Sequence, residues 1–151
     1  MKSISHEHGK INSKIVSKQI ISIVFLTILT LLTMESQAQT FKTIENKDLK
    51  LEVYNASENS FGVASVIVSG KKDAVLIDTQ FTLADAEKVA QEIKKSGKKL
   101  TTIFVSHGDP DFYFGLEVFK KYFPEVTAYA TPATIEHIKA TAQKTLDVWG
   151  E

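Results

Sequence analysis

Residues 74–107 restrict what this chain can become more than any other stretch. Ala74-Val-Leu-Ile-Asp78 is short and almost wholly apolar, the pattern of a strand at the centre of a sheet covered on both faces. Leu83, Ala86, Val89, Ala90 and Ile93 follow at helical spacing and form one apolar stripe. Thr82 is placed to cap that helix, with Asp85 three residues on. Lys94 and Lys95 fall in its last turn, where they oppose the helix dipole, and Gly97 ends it. Residues 100–105 are a second apolar run, leading directly into Ser106 and His107. Strand, helix and strand in this order call for a parallel pair with a crossover helix, and hence an α/β fold.

The flanks extend the same pattern. Residues 39–48 are polar and read as a lead-in. Residues 49–54 alternate apolar and polar, as a half-buried strand does. Residues 55–60 form a turn cluster, residues 63–68 are rich in β-formers, and Gly70 sits in a hairpin signal. Downstream, Leu116, Phe119, Tyr122 and Phe123 mark a short amphipathic helix that Pro124 stops. Residues 126–130 are a further strand candidate. Thr131-Pro132 opens a last helix, with proline at its first position. Ile135, Ile138, Ala142, Leu146 and Trp149 continue one face of it, and Trp149 is expected in the core.

Residues 1–38 have the layout of a secretory signal. Four lysines precede an apolar run over residues 20–33, and Ser36-Gln-Ala38 provides a small-x-small exit. The run is short for a membrane span, which needs about 20 residues. The expectation is cleavage after Ala38 and a secreted or periplasmic, bacterial protein. An uncleaved N-terminal anchor is the alternative and the one route to a membrane. His6 and His8 fall within this segment. Acidic and basic residues balance at 18 each, which gives no electrostatic case for nucleic acid. The chain has no cysteine, which removes thiolate ligands and a cysteine nucleophile.

Chemistry concentrates in Ser106-His-Gly-Asp-Pro-Asp-Phe-Tyr-Phe-Gly115. Imidazole and carboxylate are ordinary zinc ligands. On an extended segment His107, Asp109 and Asp111 would project to one side and could together hold one divalent ion with a water. The competing reading is a polar turn whose Asp side chains cap the helix starting near Gly115. Asp78 ends the neighbouring strand on the same expected edge. It is either a support for this loop or a plain turn carboxylate. Phe112 and Tyr113 either line a substrate pocket or anchor the loop, and Phe114 is read as an anchor. His137 lies off the apolar stripe of the last helix and reads as a solvated helix-face residue.

Taken together, Val75-Leu-Ile-Asp-Thr79 and the loop after Val105 resemble the N-terminal half of the metallo-β-lactamase fold. The resemblance runs from Leu49 to about Trp149. It implies an incomplete αββα sandwich over residues 49–151, with a leading β-hairpin and then alternating strands and helices. Against the family signature His-x-His-x-Asp-His, His107 matches the first His and Asp111 the Asp. Asp109 stands in place of the second His, Phe112 in place of the last, and Gly115 fits the glycine that follows. Asp78 matches the strand-end Asp that buttresses the metal loop. Zinc is implied, as one or two ions in the family and at most one weak site here, because Phe112 cannot ligate. The family takes two further His and a bridging Asp from its second half.

The expected function is a secreted metal-dependent hydrolase acting on a small-molecule ester, thioester, lactone or amide. His107, Asp109 and Asp111 would hold a zinc-activated water that Asp111 orients or deprotonates. The alternative is a degenerate, non-catalytic fragment or binding protein of the same fold, and a further one uses Asp78 as a nucleophile. A half-sandwich would expose an apolar sheet face, so a second half or a dimer partner is expected to cover it.

Overall fold

The computed structural model describes residues 41–150. The expected signal segment lies outside them. Among the described residues no helix is long and apolar enough to cross a membrane.

Six strands form one sheet in sequence order. β1 (Lys42–Asn46), β2 (Leu49–Asn55), β3 (Ala64–Ser69) and β4 (Asp73–Ile77) pair antiparallel. β5 (Lys99–Val105) joins β4 in parallel, and β6 (Thr127–Ala130) joins β5 in parallel. α1 (Leu83–Ser96) makes the first crossover. Two short helices, α2 (Pro110–Tyr113) and α3 (Leu116–Tyr122), lie between β5 and β6, and α4 (Pro132–Trp149) follows. The supposed lead-in therefore contains a strand. β1 has little apolar content because all five of its residues are exposed at the sheet edge, so its sequence carries no buried stripe to read.

The α1 signals act as written. Thr82 Oγ1 accepts from the Asp85 N–H, and Gly97 adopts a left-handed conformation with its N–H on Lys94 O. Ala86, Val89, Ala90 and Ile93 are fully buried, while Leu83 at the first turn is exposed. They meet Tyr54, Ile67, Leu76, Ile103 and Phe119, also buried. Each large side chain removed from water contributes about 1.5–3 kcal/mol.

Asp85 is part of this core. Its carboxylate accepts from Tyr54 Oη at 2.5 Å, Ser60 Oγ at 2.9 Å, Thr82 Oγ1 at 2.8 Å and Lys88 Nζ at 3.0 Å. The network ties the start of α1 to β2 and to the turn after it.

Register sorts the sheet into two faces. Ile67, Leu76 and Ile103 lie on the buried face. On the other, Leu51, Val68, Val75 and Thr102 form one cross-strand row, and Val53, Val66, Ile77, Phe104 and Tyr129 form the next. These rows are half-buried, and Tyr129 is exposed. The central strand β4 is thus buried on one face only, against the expectation of two, and the apolar face anticipated from a half-sandwich is present.

α4 departs most from its reading. None of its residues is buried. Trp149, expected in the core, is 49% exposed and sets its edge against Phe61 and Phe81. The apolar stripe of α4 exists, but among the described residues nothing buries it completely.

Candidate active-site edge

Because β4, β5 and β6 are parallel, Asp78, Ser106 and the start of α4 all emerge at one edge of the sheet. Asp78 is buried with φ at +59°, a left-handed conformation uncommon for a non-glycine residue. Such strain persists only where neighbours hold it. Here Asp78 N–H donates to Phe104 O, and Asp78 O accepts from Ser65 Oγ. The carboxylate then reaches across to β5. Oδ1 accepts from the Ser106 N–H at 2.7 Å, and Oδ2 from the Ser106 hydroxyl at 2.6 Å. Asp78 thus fastens the start of the loop to the end of β4.

The far end of the loop is fastened to the same strand end. Thr79 N–H and Oγ1 both donate to Phe112 O, and Gly115 N–H donates to Gln80 O. Gly115 has no substitute in this geometry, since a Cβ there would stand 2.0 Å from Thr79 O and 2.7 Å from the Ala86 Cβ. Gln80 is fully buried, with φ at +79°. Its amide donates to Val63 O and Ser65 Oγ.

Between these ties the loop is not extended. Pro110 starts α2, so Asp109 is in the β region and Asp111 is already helical. Proline favours this first helical position because it lacks the N–H that would go unpaired there. The alternation expected to aim His107, Asp109 and Asp111 at one point is thereby broken. Asp109 makes no side-chain cap to α2, and α3 begins after Gly115 with no side-chain cap, so the capping reading fails as well.

Each candidate takes a separate environment. His107 is exposed, with Nδ1 2.8 Å from Ser106 Oγ and its ring 4.6 Å from that of Phe112. Asp109 is exposed and points toward α4, with Oδ1 3.9 Å from His137 Nε2. Asp111 is partly buried. Burial pushes its carboxyl up, Asp109 and Asp78 add to this, and its own backbone N–H and His107 oppose it.

Zinc is the ion this arrangement was expected to hold, and the described residues do not fit it by themselves. No group of three or more His, Asp or Glu among them is placed to hold an ion. Phe112 and Tyr113 are half-buried against the core. Phe114 stacks on Phe81 and, with Leu83, Leu146 and Trp149, lines a cavity of about 360 Å³. A second cavity, of about 210 Å³, lies between Gly108–Pro110 and the α4 residues His137, Thr141 and Lys144.

His137 was missed as a member of this edge. It is exposed as expected, but it packs so closely on Gly108 that a Cβ there would be 2.5 Å from its ring. The signal lay in topology. A helix following a third parallel strand begins at the edge where the loop emerges, and His137 is in its second turn.

A family model described as the metallo-beta-lactamase superfamily matches residues 59–148. The chain belongs to the metallo-β-lactamase superfamily. Among solved structures similar to it, DIM-1 metallo-beta-lactamase is 21% identical, with a TM-score of 0.53 over 68% of this chain and 47% of that one. A metallo-beta-lactamase from Hirschia baltica is 15% identical, with a TM-score of 0.54 over 69% and 49%. VMB-1 is 16% identical, with a TM-score of 0.55 over 70% and 49%. At these identities the likeness shows the fold alone, and the chain spans about half the length of each. A comparison with curated proteins finds no match. The mixed six-stranded sheet with its helices is accordingly a partial metallo-β-lactamase fold.

Proposed function

We propose that residues 41–150 form one part of a metal-dependent hydrolase site of the metallo-β-lactamase type. The substrate would be a small ester, thioester, lactone or amide, in a secreted or periplasmic protein. The observation that carries this reading is the double tie of Asp78 to Ser106, which fixes the start of the loop and presents His107 at an open strand edge. Burial raises the Asp111 carboxyl from its ordinary range, and a carboxyl group at this edge is placed to orient a water. Zinc, as the family implies it, would polarise the carbonyl and activate the water. Its remaining ligands would come from outside the described residues, because these residues alone lack a complete set. The test is turnover of an ester, thioester, lactone and amide panel, with and without chelator, by the protein expressed from its own gene. Metal-dependent turnover lost in both His107→Ala and Asp111→Asn supports the reading. Turnover indifferent to both variants refutes it.

A second reading has its own observation. Phe112 packs beside His107, its ring tilted to the imidazole, where the family signature has a ligand, which favours a non-catalytic protein of the same fold. Absence of turnover across the panel, with a fully folded protein, selects it.

A further inference from the structure

The hydrogen-bond chain from Asp78 through Ser106 to His107 has a direction. Ser106 carries one hydroxyl proton, and that proton goes to Asp78 Oδ2 at 2.6 Å. The other Asp78 oxygen is occupied by the Ser106 N–H at 2.7 Å. Ser106 Oγ therefore has only lone pairs left for the His107 ring, whose Nδ1 lies 2.8 Å away. In a neutral imidazole one nitrogen donates and the other accepts. With Oγ as acceptor, Nδ1 must be the donor.

We infer that Ser106 is a positioning residue that sets the tautomer of His107, placing the ring proton on Nδ1 and leaving the Nε2 lone pair open at the strand edge. A free histidine side chain favours the opposite tautomer, with the proton on Nε2. The loop thus turns a poor electron-pair donor at Nε2 into a ready one, whether for a metal ion or for a substrate proton. The Phe112 ring lies 4.6 Å from the His107 ring, tilted by 33° to it. The inference deepens the hydrolase reading and rests on it for the use of Nε2. The position of the proton rests on Asp78 and Ser106 alone.

Nitrogen NMR of the full chain, labelled at histidine, tests it at about pH 8. The His107 signals are those lost in His107→Gln. The expected spectrum has a pyrrole-type nitrogen at Nδ1 and a pyridine-type nitrogen at Nε2. Asp78→Asn is the sharpest perturbation. Its amide would donate to Ser106 Oγ, the hydroxyl would turn to donate to Nδ1, and the ring proton would move to Nε2. Ser106→Ala should also shift the population toward Nε2–H, and Ser106→Thr should leave it on Nδ1. A purely structural role for Ser106 moves none of these signals. A wild-type ring protonated on Nε2, or an Asp78→Asn ring unchanged from wild type, overturns the inference even if Ser106→Ala fails to fold. The readout needs neither metal nor turnover, so its failure is distinct from failure of the hydrolase reading.

Discussion

Replacing Asp85 by Asn removes the charge on which four hydrogen bonds converge. Burial alone would raise this carboxyl, but donors from Tyr54, Lys88, Thr82 and Ser60 outweigh it and hold it at about 2, against an ordinary 3.8. The Tyr54 phenol moves the other way, to about 12, through burial and the adjacent carboxylate. At about 1.4 kcal/mol for each tenfold change in proton affinity, the ionised Asp85 stabilises the fold by about 2 kcal/mol. The folded-state value is depressed, so this stability is present in full above about pH 4. It is lost as pH falls through about 2. Urea unfolding of wild type and Asp85→Asn at a series of pH values isolates the contribution, since other carboxylates cancel in the difference. The variant should be less stable by about 2 kcal/mol at pH 7, and the gap should close near pH 2. A gap that stays constant down to pH 2, or is absent at pH 7, would refute the network as a source of stability.

Two further substitutions test the packing that supports the site. Gly115→Ala forces a methyl into the Thr79 carbonyl and should cost about 3 kcal/mol or more, read as a lowered denaturation midpoint, because a backbone atom cannot give way as a side chain can. Ile67→Ala on the buried face should cost about 2–5 kcal/mol, whereas Val66→Ala on the half-buried face should cost less than half as much. Equal costs in chemical denaturation would contradict the assignment of the two faces.

The scaffold was legible where local signals and burial agree. Thr82, Gly97 and the stripe from Ala86 to Ile93 mark α1 because capping and periodicity are properties of neighbouring residues. The Asp85 network was only half visible. Its bond to Thr82 is local, but Tyr54 and Ser60 arrive from 31 and 25 residues away. Asp78 could be paired with the loop from strand order alone. The ligand set could not be judged from spacing, because Pro110 turns the chain into a helix between Asp109 and Asp111. Trp149 misled for a different reason: an apolar stripe shows that a helix has a face to bury, and says nothing of what buries it.

This edge presents His107 on a firm frame without a complete metal site among the described residues. Calorimetric zinc titration of the full 151-residue chain, alongside His107→Ala and Asp109→Ala, tests it most directly. Binding is expected to be no tighter than about micromolar, weakened by His107→Ala and indifferent to Asp109→Ala, whose carboxylate faces His137. One equivalent of zinc held at about nanomolar affinity and released equally by both substitutions would contradict it.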